Sequence, residues 1–341
     1  MRWGLRWSDL PAGSLTLDTE SRDRAVAIDW REAFQGADLA YKKIDSLLRG
    51  RTAEEVAACL ATALFRSAVI APAFPAQLRI TRDGRQLWRQ EPEQAWQTVA
   101  CDLAAELRSR GVALRLASSA AEIAGEGFHL CDVASDRDLE AIVASGQGLR
   151  PPVLWCGSAG LARALAGFPE PAKIPAPATP FLMLIGSPHP VTATQIGVLA
   201  GRWPERVLRV ITPDASVDQT ITAIRRMLAK DGWAALVFAL PDEMGADAAG
   251  AVISRTFAAL ADGIPRPAGL LVSGGETLFR LMQVTGAERL VVHGEWQAGV
   301  ARSRIEGGRW PGIGLLSKSG AFGNAALLIR LAEWVMARSH A

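Results

Sequence analysis

Two glycine-bearing segments in the C-terminal half of this sequence have the composition of phosphate-binding turns. In the first, residues 269–277 (GLLVSGGET), an apolar run leads into Gly274 and Gly275, and Glu276 and Thr277 then open a predicted helix. Paired glycines let a ligand approach the backbone closely, and a helix N-terminus offers free N–H groups and the positive end of the helix dipole. The segment therefore predicts phosphate binding, with a tight strand-to-helix turn as the alternative.

The second segment, residues 316–323 (LSKSGAFG), also lies between a predicted strand and a predicted helix. Lys318 could meet phosphate charge, while Gly320 and Gly323 keep the loop open. Ser317 stands where a Walker A loop needs glycine, and the residues before it are predicted as strand, so we exclude a P-loop NTPase. A lysine that caps a solvated loop is the alternative.

A third segment, residues 185–194 (IGSPHPVTAT), follows a predicted strand and brings Ser187 to its end. Small residues here suit either the edge of a nucleotide site or a plain turn. His189 lies between two prolines and is expected in a solvated loop, and Thr192 is expected to cap the following helix.

A fourth segment, residues 41–50 (YKKIDSLLRG), carries several charges that could hold an anionic, hydroxylated ligand. Arg49 can bind a carboxylate through two parallel hydrogen bonds, and Lys43 can act as a point charge. Asp45 adds an acceptor for hydroxyl groups. Ser21 and Arg22 form a similar but weaker signal, and a solvated charged turn is the alternative for the whole segment.

The order of predicted elements indicates an α/β protein with two domains, each a mostly parallel sheet flanked by helices. Five prolines in residues 167–180 favour an extended linker, which separates domains at 1–166 and 181–341. The predicted helices include 52–63, in which Thr52 and Glu55 are expected to form a capping box, and also 93–110, 136–145 and 322–337. The predicted strands before the linker include 15–17, 40–41, 68–71, 112–116 and 129–133. After the linker they are 181–185, 207–211, 234–240, 269–273, 290–293 and 314–317.

The composition of the 341 residues narrows the class of protein. A formal net charge of +2 gives no support for a nucleic-acid or membrane partner. No leader-like or membrane-spanning apolar run is present, so we expect a cytoplasmic protein. The four cysteines form no C-x-x-C pair, which argues against zinc and predicts reduced thiols; they are Cys59, Cys101, Cys131 and Cys156.

Several motifs, in order along nearly the whole chain, resemble the four-carbon acid sugar kinase family, which includes threonate, erythronate and 3-oxo-tetronate kinases. They are LDTESR (17–22), YKKIDSLLRG (41–50), IAPAFPAQLRITRDG (70–84), CDVASDRDL (131–139), CGSAGLARALA (156–166), IGSPHPVTATQ (185–195), SGGETL (273–278), HGEWQAGV (293–300) and KSGAFG (318–323).

The resemblance implies an N-terminal domain that binds a sugar acid and a C-terminal domain that binds ATP. It implies phosphorylation of the terminal hydroxyl of a four-carbon acid with ATP and Mg²⁺, and no metal ligand or catalytic residue is assigned. The residues expected to face the sugar acid are Ser21, Arg22, Lys43, Asp45 and Arg49. Those expected to face ATP are Ser187, Gly274, Gly275, Glu276, Thr277, Gly299, Lys318, Ser319, Gly320 and Gly323.

The sequence also departs from the family pattern. Members open with a strand ending in Asp-Asp-Leu-Thr-Gly-Ala, and we expect this first strand and motif to be missing from the chain. Leu47 replaces a threonine of the family, and Leu78 replaces a glycine before Arg79. The alternative function is therefore an inactive member that binds nucleotide or sugar acid. A dinucleotide-dependent oxidoreductase is disfavoured because no G-x-G-x-x-G fingerprint appears, and the sequence leaves monomer and homo-oligomer open.

Overall fold

The structure is a computed structural model, and it divides into two compact units, Met1–Pro169 and Glu170–Ala341. This division falls inside the proline-rich segment 167–180. The residues that the structure describes are 16, 27–167, 177–211, 216–297 and 299–338. Nearly all of the strand expected at 15–17, and both Ser21 and Arg22, lie outside these residues.

The N-terminal unit alternates strands and helices. In chain order its elements are α1 (Trp30–Phe34), β1 (Ala40–Lys43), α2 (Thr52–Ala61), β2 (Ser67–Ala71), β3 (Arg79–Arg82), β4 (Arg85–Trp88), β5 (Gln97–Thr98), α3 (Leu103–Ser109), β6 (Leu114–Ala117), β7 (Gly127–Cys131), α4 (Asp136–Gln147), β8 (Val153–Gly157) and α5 (Ala159–Leu165).

The main sheet of this unit is parallel, in the order β1-β8-β2-β7-β6. Successive side chains of a strand point to opposite faces, and both faces of β2 are covered. Ala68 and Ile70 pack into the core on one face, and Val69 and Ala71 into the core on the other. The apolar run that predicted a buried strand here is confirmed, and it explains why the strand is uniformly apolar rather than alternating.

The C-terminal unit has the same alternation and ends in an antiparallel hairpin. Its elements are β9 (Phe181–Ile185), α6 (Pro190–Arg202), β10 (Val207–Val210), α7 (Val217–Asp231), β11 (Trp233–Phe238), α8 (Ala246–Gly263), β12 (Gly269–Ser273), α9 (Gly275–Thr285), β13 (Arg289–Gln297), β14 (Val300–Glu306), β15 (Gly314–Lys318) and α10 (Leu327–Arg338). The strand order is β10-β11-β9-β12-β15-β14-β13. The pairs from β10 to β15 are parallel, whereas β13, β14 and β15 pair antiparallel.

This strand order reverses between β9 and β12. The chain leaves β9 through α6 toward β10, and it leaves β12 through α9 toward the opposite edge of the sheet. Helix α6 packs against α10, whereas α8 packs against both α7 and α9. Diverging connections open a crevice at the carboxyl ends of two neighbouring strands, which is where α/β sheets bind ligands.

Some expectations from the sequence are wrong. Helix α2 has no capping box, because Thr52 Oγ1 donates to the carbonyl of Arg49 and Glu55 pairs with Lys42. A single helix does not span 93–110, since β5 pairs with β4 and only α3, capped by Asp102, is helical.

Further differences concern elements that the sequence did not predict. The small antiparallel sheet β3-β4-β5 and the strands β8 and β14 were not foreseen. Helix α10 begins at Leu327 rather than at residue 322. Among the described residues, no helix combines the length and the hydropathy that crossing a bilayer requires.

Candidate functional site

The carboxyl ends of three adjacent strands lie level in the C-terminal unit. Ser273, the last residue of β12, is in register with Ile185 of β9 on one side and with Lys318 of β15 on the other. The backbone N–H of Gly274 donates to the carbonyl of Lys318 at 3.0 Å, and that of Gly186 donates to Ser273 at 3.2 Å. The three turns that the sequence singled out therefore begin at one edge of one sheet.

The turn after β12 leads directly into α9. Gly274 has a φ of +112°, a backbone conformation that residues with a side chain rarely adopt. Gly275 and Glu276 are exposed, and space is open where a Cβ of Gly275 would stand. Glu276 forms an ion pair with Arg280 at 2.6 Å. Thr277 is buried, and its side chain packs against Gly186.

The turns after β9 and β15 are packed against each other. Gly320 approaches Ser187 so closely that a Cβ on this glycine would collide with the serine hydroxyl. Ser187 Oγ accepts from the N–H of His189 at 3.3 Å, and Ser319 is exposed. Ser187 and Gly320 thus lie side by side, while Gly323, which is exposed, lies further along the same loop.

Gly299 comes to the same edge through the hairpin of β13 and β14. Val300 pairs with Lys318, so the start of β14 lies beside the end of β15. The ring of Phe322 fills the space where a side chain of Gly299 would stand. The described residues of the proposed ATP set, from Ser187 to Gly323, are therefore brought to one edge.

Lys318 is the buried charge of this edge, with only 4% of the residue exposed. Its Nζ donates to Ser273 Oγ at 3.0 Å and to Thr192 Oγ1 at 3.2 Å. Within the described part of the chain no carboxylate lies within ion-pairing distance of this Nζ. Burial lowers the pKa of Lys318 to about 8.

Helix α6 contacts the loop after β15 through two buried polar side chains. Thr192 Oγ1 donates to the carbonyl of Gly320 at 2.8 Å, and Thr192 is therefore not the cap of α6, which begins after His189. Gln195 Nε2 lies 2.9, 3.1 and 3.0 Å from the carbonyl oxygens of Phe322, Gly323 and Asn324. Gln195 and Ser273 were not among the residues predicted from the sequence, because the full burial of these polar side chains is visible only in the structure.

In the N-terminal unit, the last residue of β1 and the segment after it carry the described residues that were expected to face the sugar acid. Lys43 Nζ donates to the carbonyl of Ile44 at 2.8 Å. Asp45 accepts from the N–H of Leu47 at 2.7 Å and from two nitrogens of Arg49. Asp45 and Arg49 therefore form an ion pair with each other, at 2.7 Å.

Arg79, at the start of β3, contacts this segment and was not among the site residues predicted from the sequence. Its Nη1 donates to Ser46 Oγ at 2.7 Å and to Gln77 Oε1 at 2.6 Å. Burial lowers the pKa of Arg79, and the nearby Asp45 carboxylate opposes this shift. Leu78, where the family usually has glycine, adopts a left-handed φ of +55° just before it.

The cysteines offer no activated thiol. Burial raises the pKa of Cys59 and of Cys131 to about 12, and that of Cys101 to about 11; for Cys156 it raises the pKa as well. No disulfide joins them. Among the described residues, no group of three or more His, Cys, Asp or Glu side chains is placed to hold a metal ion.

Two family models match the chain. One is described as a nucleotide-binding C-terminal domain and matches residues 182–328; the other is described as a sugar-binding N-terminal domain and matches residues 16–98. A D-threonate kinase of Cupriavidus necator is 32% identical, and the match covers 88% of this chain and 80% of that protein. A D-threonate kinase of Bordetella bronchiseptica is 25% identical, with 89% and 79% covered.

Solved structures agree on the fold. A protein from Salmonella typhimurium LT2 superposes with a TM-score of 0.65 at 21% identity, covering 87% of this chain and 81% of that chain. A protein from Haemophilus influenzae superposes with a TM-score of 0.63 at 18% identity, covering 90% and 85%. The predicted α/β fold class is confirmed.

Proposed function

This chain belongs to the four-carbon acid sugar kinase family and is a phosphotransferase that acts on an alcohol group, and we propose that it transfers the γ-phosphoryl group of ATP to the terminal hydroxyl of a four-carbon sugar acid. The relatives named D-threonate kinase make D-threonate the first substrate to test. Erythronate and 3-oxo-tetronates are the other members of the proposed class.

The observation that carries the ATP-binding part of this proposal is the buried ammonium group of Lys318. A buried ammonium group is costly unless an anion compensates it, and here two hydroxyl groups are its hydrogen-bond partners. The phosphates of ATP would supply the compensating charge at the edge where the three turns meet. Because Lys318 is buried, its charge would interact more strongly with a nearby phosphate than the charge of an exposed lysine would.

The N-terminus of α9 supports the same site. Its first residue, Gly275, is exposed beside open space, so a phosphate can approach the free backbone N–H groups. This helix has 11 residues, long enough for its dipole to favour a negative charge at this end. Ser187 and Ser319 provide hydroxyl donors on the facing turns.

Mg²⁺ in phosphoryl transfer is usually held by phosphate oxygens and water, with one or two protein carboxylates. Glu276, an exposed carboxylate in the first turn of α9, would take this role by exchanging its ion pair with Arg280 for the metal. The metal would neutralise charge that develops on the transferred group. The residues of the chain then bind and orient the two substrates, since phosphoryl transfer depends on positioning and charge neutralisation more than on covalent chemistry.

We assign sugar-acid binding to the N-terminal unit. The segment after β1 and the start of β3 combine cationic groups with hydroxyl and amide groups, as an anionic, hydroxylated ligand requires. The family model described as sugar-binding supports this assignment because it matches residues 16–98.

The proposal is tested by incubating the full chain with ATP, Mg²⁺ and a panel of four-carbon acids. We expect ADP release only when both ATP and an acid are present, and a new phosphomonoester on the terminal carbon by ³¹P NMR. Nucleotide binding without phosphorylation of any acid in the panel would contradict the proposal and favour a binding protein.

A further inference from the structure

Arg49 and Arg79 differ in how much of each guanidinium group is left for a ligand. Arg49 gives both Nε and Nη2 to Asp45 Oδ2, at 3.1 and 2.7 Å. This is one of the edges through which arginine binds a carboxylate with two parallel hydrogen bonds. The protein's own carboxylate therefore already occupies the edge of Arg49 that a sugar acid would use.

Arg79 keeps the same edge unoccupied. Both hydrogen bonds of its guanidinium, to Ser46 and to Gln77, are made by Nη1. Nε and Nη2 meet no acceptor among the residues that the structure describes, and no ion pair of Arg79 is formed there. Two neighbouring N–H donors are thus left without an acceptor in the described part of the chain.

A chain of buried hydrogen bonds fixes the position of this guanidinium. Thr81 and Gln86, each only 2% exposed, join β3 to β4 through a bond of 2.8 Å between Thr81 Oγ1 and Gln86 Oε1. Gln86 Nε2 then donates to the carbonyl of Ser46 at 2.7 Å. The serine that receives Arg79 is therefore held by the same hairpin that carries Arg79, and the site is preorganised.

Among the described residues, no carboxylate forms an ion pair with Arg79, and the charges that act on it are those of Asp45 and Arg49. Asp45 and Arg49 form an ion pair and together are neutral. Arg79 is half-buried, so its charge interacts with a ligand more strongly than that of an exposed arginine would. The carboxylate of a ligand would supply an opposite charge that Arg79 can bind through two hydrogen bonds.

We propose that Arg79 binds the carboxylate of the sugar acid through its Nε and Nη2 edge, and that it makes this kinase select acids over neutral polyols. The inference rests on the proposed function for its substrate class. In this proposal Arg79, and not Arg49, binds the carboxylate of the ligand. Arg49 instead holds Asp45.

The test compares D-threonate with its neutral amide, D-threonamide, as substrates of the full chain. For Arg79→Gln we expect kcat/KM for D-threonate to fall about 10- to 100-fold, the loss of one charged hydrogen-bonded contact. Turnover of the amide and the KM for ATP should stay within about twofold, a change of a few tenths of a kcal/mol. The matched control is Arg82→Gln, which removes an exposed cation from the end of the same strand.

Two outcomes would overturn the assignment. An Arg79→Gln enzyme that loses acid and amide equally would give Arg79 a structural role only. An Arg49→Gln enzyme that loses the preference for the acid, while Arg79→Gln keeps it, would return the carboxylate to Arg49.

Calorimetric titration of D-threonate without nucleotide separates this inference from the proposed function. If the wild-type chain binds the acid in an Arg79-dependent way but transfers no phosphoryl group, the proposed function fails and the carboxylate site stands. If the wild-type chain phosphorylates the acid but binds it equally well after Arg79→Gln, the proposed function stands and the carboxylate site fails.

Discussion

Lys318 connects the chemistry of the candidate nucleotide site with a measurable property. Burial lowers the pKa of this lysine to about 8, below its ordinary value of 10.5, because the charged form is the one that burial disfavours. The group therefore loses its proton as the pH rises through about 8. A polyanionic ligand favours the protonated form and must bind less well on the alkaline side.

We predict that the KM for ATP rises about tenfold between pH 7 and pH 9.5, which corresponds to a shift of one pKa unit on binding. Lys318→Arg should keep affinity at neutral pH and lose this dependence, since arginine does not titrate in the range. Lys318→Met should bind ATP weakly at every pH. A wild-type KM that is flat from pH 7 to pH 9.5 would exclude Lys318 as a determinant of ATP affinity.

Leu78 illustrates what a sequence can reveal about a single residue. The family usually has glycine here, and the left-handed φ of +55° gives the physical reason. The departure could be seen in the sequence, but its backbone conformation could not. The same holds for Arg79, because the selection of Arg49 rested on residue type, whereas the choice between them depends on which guanidinium edge is free.

At the scale of elements, helix α6 determines the shape of the loop after β15. Gln195 is fully buried, and its amide nitrogen contacts three consecutive carbonyl groups of this loop. Those carbonyl groups are thereby directed toward Gln195. These contacts lie in the loop that precedes α10, which begins at Leu327.

We predict that Gln195→Met, which keeps the length of the side chain but removes the donor, raises the KM for ATP about 5- to 30-fold, equivalent to about 1–2 kcal/mol for the lost bonds. The KM for the sugar acid should not change, because the loop belongs to the C-terminal unit. Thr194→Val, an exposed change on the same helix, is the control. Equal losses for both substrates would indicate general destabilisation instead.

The contact between β1 and α2 depends on a buried ion pair. Lys42 Nζ lies 2.5 Å from Glu55 Oε2, with side-chain exposures of 9% and 15%, and the same Nζ lies over the ring of Trp30. Removal of one partner leaves the other charge buried without compensation.

We therefore expect Glu55→Gln to lower the free energy of unfolding by about 3 kcal/mol in chemical denaturation. Glu54→Gln, on the exposed side of α2, should cost less than about 1 kcal/mol, as surface ion pairs do. Adding Lys42→Met to Glu55→Gln should recover most of the loss. A Glu55→Gln chain as stable as the Glu54→Gln chain would contradict this view of the pair.

The elements of the C-terminal unit were predictable because its central strands are continuous apolar runs. Strands β9 and β12 begin and end at the predicted residues. Strand β14, with polar residues at several positions, and the small sheet of β3, β4 and β5 lack such a run. Their strand conformation depends on pairing with neighbours that are distant in sequence, which a local pattern does not contain.

At the scale of the whole molecule, each unit has its own candidate site, and we assign a different substrate to each. The C-terminal unit brings its glycine-bearing turns to one sheet edge around Lys318. The N-terminal unit offers Arg79 beside the segment that follows β1. Which turns share an edge follows from strand order, and the sequence predicted the turns but not that order.

Hydrogen–deuterium exchange of the full chain tests the central claim, that the turns after β9, β12 and β15 form one nucleotide site. A non-hydrolysable ATP analogue with Mg²⁺ should slow exchange in residues 186–195, 274–278 and 318–326 together. D-threonate alone should protect residues 43–50 and 79–88 instead. Protection of only one of the three turns by the ATP analogue, or protection confined to the N-terminal unit, would contradict the account.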